Sequence, residues 1–269
     1  MFTRPDNTYI RISGTQHMEA VSSMPDWLAQ MLHNLILTGQ CTDITLELND
    51  SLMTQVLDSG TVSTSSDFVL AGTCTTSFQT SGANRSNNIV VGASRLNNLI
   101  VLPGQTVSVS DTILPRTRAN GYKEAGVYVN GAHTSGLGGG VCQISSTVYN
   151  AVKNAGLTVV QRNPHSMPVS YLPKGLDAAI AAGSKDLKFR NDYTTPVVLY
   201  TDTSNKHLTV NVLVWNQELA GRSFKLWAKQ TGALSADTYF TTYLNGKEIS
   251  TQFVGTSRYN PYREAVNDD

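Results

Sequence analysis

The junction between Gly136-Leu-Gly-Gly-Gly140 and Val141-Cys-Gln-Ile-Ser-Ser-Thr-Val-Tyr149 constrains this chain more than any other stretch. Consecutive glycines permit positive φ and close approach of another backbone, so a sharp turn is expected there. After them Ile144, Val148, Ala151 and Ala155 recur at helical spacing until Gly156, a stop signal. The pattern predicts a helix from Val141 to Ala155 with Cys142 in its first turn. Cys142, Ser145, Ser146, Tyr149 and Lys153 fall on one side of it, which is expected to be its polar face. A helix N-terminus carries unpaired N–H groups and partial positive charge, and both favour a thiolate.

Around this junction the chain reads as α+β: a few helices packed on a mostly antiparallel sheet. Pro25 to Leu37 and Ser86 to Leu99 have helical spacing, the latter ended by Val101-Leu-Pro-Gly104. Strands are expected at Asp43–Asn49, Phe68–Phe78, Leu157–Gln161, Pro168–Leu172, Asp177–Ala181, Pro196–Thr201 and Leu208–Trp215. Asn130-Gly131 and Asn245-Gly246 each mark a two-residue hairpin. The Ser/Thr-rich stretch from Asp50 to Asp67 reads as a boundary. Three regions result: residues 1–60, residues 61–215 with the reactive junction, and a β-rich extension over 216–269.

Composition narrows the function. Lys plus Arg equals Asp plus Glu at 20 each, giving a formal net charge of zero, and this argues against a nucleic-acid footprint. Charged residues make up only 15%, below the roughly 25% usual for soluble domains. No apolar run of the length a bilayer requires is present, and Met1-Phe-Thr-Arg-Pro-Asp6 lacks the apolar core of a signal peptide. The 3 cysteines, Cys41, Cys74 and Cys142, form no Cys-x-x-Cys pair, so neither a metal nor another cofactor is implied. A bridge between Cys41 and Cys74 is open.

A thiol nucleophile needs a base. Among His17, His33, His133, His165 and His207, His165 is favoured. It lies in Arg162-Asn-Pro-His-Ser-Met-Pro168, where two prolines stiffen the loop. His133, just before the glycine run, is the rival. Asp177 is the candidate that orients the histidine, with Asn163 and Ser166 as alternatives. Arg190 is a candidate for gripping a substrate carboxylate, and a surface ion pair is its other reading. Gly139, Gly140, Ser145, Ser146, Tyr149 and Tyr122 complete the set expected to contact substrate.

From about Phe68 to Tyr200 the chain resembles the VanW-like family of Gram-positive envelope proteins. The resemblance rests on Arg85-Ser-Asn-Asn-Ile89, Leu102-Pro-Gly104, Asn120-Gly-Tyr-Lys-Glu-Ala125 and Asn130-Gly131. Its most specific blocks are Gly136–Gln143, Pro164-His-Ser166, Val169-Ser-Tyr171, Gly175-Leu-Asp-Ala178 and Asp186–Asn191. Clostridial members resemble L,D-transpeptidases that form 3→3 cross-links through the motif cysteine. The resemblance thus implies a Cys142 nucleophile and maps the motif histidine to His165. The implied partners are peptidoglycan stem peptides, a donor tetrapeptide and an acceptor stem. It further implies an extracellular site of action in a membrane-anchored protein, of which this chain would be a trimmed ectodomain. The first sixty residues are similar to the end of a peptidoglycan-binding module. Two other readings stay open: a cysteine hydrolase on the same polymer, with papain-like order of cysteine and histidine, and a non-catalytic binding scaffold. The scaffold reading expects Cys142 buried and remote from any histidine. Oligomeric state is not implied.

Overall fold

A computed structural model describes residues 68–129, 132–181 and 183–261, and three strands nearer the N-terminus. The chain divides into two compact units, Met1–Phe68 and Val69–Asp269. In the first, β1 (Phe2–Thr3), β2 (Thr8–Ser13) and β3 (Asp43–Leu48) form an antiparallel sheet in that order. The strand expected at 43–49 is present as β3. The expected helix at 25–37, with Cys41, His17, His33 and the boundary at 50–67, lies outside the described residues.

The second unit is built around one helix, α3 (Val141–Asn154). A four-stranded sheet in the order β4-β12-β11-β5 packs on it. These strands are β4 (Phe68–Ser77), β5 (Leu99–Val101), β11 (Val197–Asp202) and β12 (His207–Trp215). Along β12 buried Leu208, Val210, Val212 and Val214 alternate with half-buried residues, the period of a strand with one face in the core. They meet Ile144, Val148, Ala151 and Val152 of α3 in a single cluster. Helix α1 (Ala83–Ser94) adds Ile89 and Ala93 to it. Each fully buried Leu, Ile or Val contributes about 1.5–3 kcal/mol relative to exposure.

Smaller elements surround this centre. β6 (Thr106–Ser108), β10 (Lys188–Arg190) and β9 (Thr158–Gln161) form an antiparallel sheet, and α2 (Val109–Thr112) follows β6. β7 (Glu124–Val129) pairs with β8 (Ala132–Leu137), with Val129 opposite Ala132. That register leaves only positions 130 and 131 between the strands, as the Asn-Gly signal implies. After α4 (Asn216–Leu219), β13 (Arg222–Gly232), β14 (Ser235–Leu244) and β15 (Lys247–Arg258) form the last sheet. Asn245 and Gly246 close its second hairpin at φ 50° and 79°. Mostly antiparallel strands with a few helices make this an α+β fold.

Several local expectations are corrected. The helix expected over 86–99 runs instead from Ala83 to Ser94. Asn98 at φ 58° breaks it and lets Leu99–Val101 join a sheet. The stretches 168–172 and 177–181 are not strands. Pro164, Pro168 and Pro173 remove donors a ladder needs. Several of the backbone groups between 176 and 178 are taken by side chains instead. Ser146 Oγ accepts from Ala178 N at 2.9 Å, Ser145 Oγ donates to Ala178 O at 2.5 Å, and Asn150 Nδ2 donates to Leu176 O at 2.7 Å. This segment is stitched onto the polar side of α3, so that side is buried rather than open. The last sheet, β13 to β15, falls in the same compact unit as α3. Cys74 is a free thiol, and burial pushes its pKa up to about 12.

Leu208 is fully buried on the core face of β12. Leu208→Ala should cost about 2–5 kcal/mol of unfolding free energy, through lost burial and a residual cavity. Urea titration should show a lower midpoint at an unchanged m-value.

Candidate functional site

Gly140 caps α3 at φ 111°, a conformation that side chains resist. Gly139 just before it passes so close to β7 that a Cβ would lie 2.6 Å from Gly126 O. The two glycines therefore set the turn, and substrate contact is not needed to account for them. Val141 N and Gln143 N bond back to Gly138 O and Gly140 O. Between them Cys142, the second residue of α3, has no helical carbonyl behind its N–H.

The Cys142 side chain is partly buried. Its Sγ lies 3.3 Å from Ile180 O, to which the thiol donates, and the His165 imidazole lies near enough to act on its ionisation. Burial pushes the thiol pKa up. The influence of His165, with smaller contributions from the Ile180 backbone and the charge of Arg116, outweighs it. The net direction is down from the ordinary 9.0.

His165 is held from behind by Asp177. One carboxylate oxygen, Oδ2, accepts the His165 backbone N–H at 2.6 Å and lies 2.7 Å from ring Nδ1. Nδ1 is thereby the protonated nitrogen of the neutral ring, leaving Nε2 as the basic one for the thiol. Burial pushes the imidazole pKa down, but its bonds to Asp177 and Cys142 raise it to about 9. A raised histidine stabilises the fold fully below about 6.5. That contribution is lost as pH rises through about 9.

Asp177 is fully buried. Burial pushes its pKa up, but the hydrogen bonds from His165 and Tyr259 and the nearby Arg162 charge outweigh it and hold it below 3.8. Oδ1 accepts from the Tyr259 hydroxyl and lies 3.4 Å from Arg162 Nη2. Tyr259 OH in turn accepts from Gly175 N at 2.6 Å. Arg162 donates to Asp177 O at 2.8 Å, Gly175 O at 3.1 Å and Ser257 Oγ at 3.1 Å, so it fixes the loop that carries the carboxylate. The sequence reading gave neither Arg162 nor Tyr259 a role. Arg162 opens the His165 loop, a signal that was available. Tyr259, 82 residues from Asp177, had none.

The other candidates lie differently. Ser145 and Ser146 are fully buried; the Ser146 hydroxyl donates to Cys142 O at 2.8 Å, and Ser145 Oγ lies 3.1 Å from the same oxygen. They hold the 178 segment and are not open to a ligand. Tyr149 is buried under the Arg162 guanidinium, 5.4 Å from its ring. Tyr122 is buried in the core and donates to Ile113 O at 2.8 Å. Arg190 is exposed on β10 and bonded to Asp192, the surface ion pair of its second reading. Asn163 Nδ2 donates to Asp186 O at 3.0 Å, a structural contact. Tyr171, given no role by the sequence reading although it ends one of the matching blocks, places its hydroxyl 3.3 Å from Ser146 Oγ, and burial pushes its pKa up. His207 Nδ1 lies 2.9 Å from Asn205 O on an exposed turn, and His133 faces Tyr128 across the β7–β8 hairpin. Among the described residues no group of His, Cys, Asp and Glu could hold a metal ion.

The elevated histidine pKa depends on Asp177. Asp177→Asn should move the His165 titration, followed by NMR of the ring protons, from about 9 toward its ordinary 6.5. An unchanged midpoint would remove Asp177 as its cause.

Comparison with known proteins gives this arrangement relatives. The family model described as "VanW like protein" matches residues 84–213. The protein YoaR of Bacillus subtilis, itself uncharacterized, is 42% identical over 128 residues, 48% of this chain and 42% of that protein. The vancomycin B-type resistance protein VanW of Enterococcus faecalis is 35% identical over 114 residues, 40% of this chain and 42% of the relative. The chain thus spans less than half the length of these curated relatives. No solved structure matches it. Residues 84–213, which supply Cys142, His165 and Asp177, are a domain of the VanW-like family.

Proposed function

We propose that this domain is a cysteine acyltransferase of the cell wall, an L,D-transpeptidase acting on peptidoglycan stem peptides at the outer face of the envelope. The observation that carries the reading is the chain of contacts from Asp177 through His165 to Cys142 at the start of α3. A non-catalytic scaffold has no need of a thiol paired with an oriented imidazole. Similarity to a protein named for vancomycin resistance supports the cell-wall setting.

In this mechanism His165 Nε2 takes the Cys142 proton while Nδ1–H stays on Asp177. The thiolate attacks the carbonyl of the L-centre that precedes the terminal D-residue of a donor tetrapeptide. The C–N bond breaks, the imidazolium proton passes to the leaving amine, and a terminal D-amino acid departs. An acceptor amine then attacks the thioester, His165 takes its proton, and Sγ recovers it. In this reading the N–H of Cys142, in the first turn of α3, stabilises the oxyanion of both tetrahedral intermediates. The chemistry as far as the thioester is common to transfer and hydrolysis. Capture by an amine or by water distinguishes them.

Cys142→Ala should abolish acyl-enzyme and cross-linked product in mass spectra of reactions with disaccharide-tetrapeptides. Persisting product would sink the nucleophile assignment, and release of D-alanine without any dimer would make the enzyme a hydrolase. His165→Ala should slow acylation by roughly 10²–10⁴-fold. His133→Ala should slow it much less.

The rate should also follow a bell in pH. Its acid limb lies below the ordinary thiol value of 9.0, because His165 favours the thiolate. Its alkaline limb lies near 9, where His165 loses the proton the leaving amine needs. A rate that keeps climbing past that point would contradict the acid role of His165.

A further inference from the structure

Two arginines flank the turn that delivers Cys142, and their heads are used differently. The stem of Arg85, on α1, packs against Gly140, where a Cβ would lie 3.0 Å from its Cγ. Its head is engaged at both ends of the fork, Nη1 donating to Ser81 Oγ at 2.5 Å and Nη2 to Gln143 Oε1 at 2.9 Å. The stem of Arg116 packs against Gly138, where a Cβ would lie 2.9 Å from its Cδ. Arg116 is half-buried as a residue, and its guanidinium makes no hydrogen bond or ion pair with any described residue. It still lies near enough for its charge to act on Cys142 and on Tyr122.

A guanidinium presents five donors in a planar fork and no acceptor, and its best partner is a carboxylate taken two oxygens at a time. Arg190 on β10 already has one in Asp192. Arg116 has its stem anchored on Gly138, in the turn that leads to Cys142, and its head uncommitted. Arg85, fixed on the other flank, adds positive potential that favours an anion in the same place.

We propose that Arg116 holds a free carboxylate of the acylating substrate, one residue beyond the carbonyl that Cys142 attacks. This rests on the acyl-transfer reading and specifies its substrate class: peptides acylate the enzyme by giving up their last residue, whose carboxylate is still free. In such a peptide only the leaving residue's N and Cα separate the attacked carbonyl from the carboxylate. An internal peptide bond presents a neutral amide there and leaves the guanidinium without its partner, which a site built on hydrogen bonding rejects.

Two measurements on the intact chain test this. The first alkylates Cys142 with iodoacetate and with iodoacetamide, which differ in charge but not in the reacting carbon. It is read by peptide mapping to separate Cys142 from Cys74, at a pH where the Cys142 thiol of each variant is fully ionised. The iodoacetate-to-iodoacetamide rate ratio should fall about 10-fold or more in Arg116→Gln, and less in Arg116→Lys, which keeps the charge without the fork. An unchanged ratio overturns the carboxylate site, whatever the peptides do. The second compares a disaccharide-tetrapeptide ending in D-alanine as the free acid with its C-terminal carboxamide, by intact-mass detection of acylated Cys142. Arg116→Gln should cut kcat/KM for the free acid roughly 10- to 150-fold, the usual range for a hydrogen bond to a charged group, and lower the amide far less. Equal losses on both peptides overturn the proposal while the acyl-transfer reading stands. If neither peptide acylates the wild-type chain, the acyl-transfer reading fails and the alkylation ratio alone decides the carboxylate site.

Discussion

The buried carboxylate of Asp177 is the interaction on which the rest of the site depends. Stripping a carboxylate of water costs several kcal/mol even after the protein relaxes. Here the cost is offset by donors from two other parts of the chain: the backbone and ring of His165 with the Arg162 guanidinium from one loop, and the Tyr259 hydroxyl from far along the sequence. Hydrogen bonds to a charged group contribute about 1.5–3 kcal/mol each, so this number of donors is what lets the ion stay charged inside. The same bonds fix the His165 ring and its tautomer. Orientation of the base and stability of the loop are therefore one physical fact.

The carboxylate owes its position to α3 and what lies over it. A helix wrapped in protein on all sides needs its polar face satisfied from outside, and the 175–180 segment does this with its own backbone. Ser145, Ser146 and Asn150 bond to its carbonyls and amides in place of a neighbouring strand. Such a segment follows the side chains beneath it rather than a ladder. It delivers Asp177 to His165 and Ile180 O to the thiol in one pass. The last sheet seals it from the other side, where Thr238 Oγ1 donates to Gly175 O at 2.9 Å and Arg162 reaches Ser257. Residues beyond the VanW-like match thus help to hold the site.

Much of the architecture is legible in the sequence, for local reasons. Gly140 must take a positive φ at the cap of α3, so the turn and the place of Cys142 follow from sterics within a few residues. Asn245-Gly246 makes its hairpin for the same kind of reason. Alternation along β12 and helical spacing along α3 mark which faces meet in the core. His165 stands out because prolines bracket it, and Asp177 because a matching block carries it.

Only the tertiary structure decided which polar groups face a ligand and which are consumed in holding the fold. Spacing put Ser145, Ser146 and Tyr149 on one side of α3, but whether that side is open depends on what folds over it. The 175–180 segment closes it. Tyr259 reaches Asp177 across 82 positions, and Arg116 reaches the flank of the glycine turn by packing on Gly138. Steric limits on φ and ψ act between neighbours and can be read from neighbours. Burial and the satisfaction of a buried charge are set by which distant segments meet, and that is decided by the packing of the whole unit.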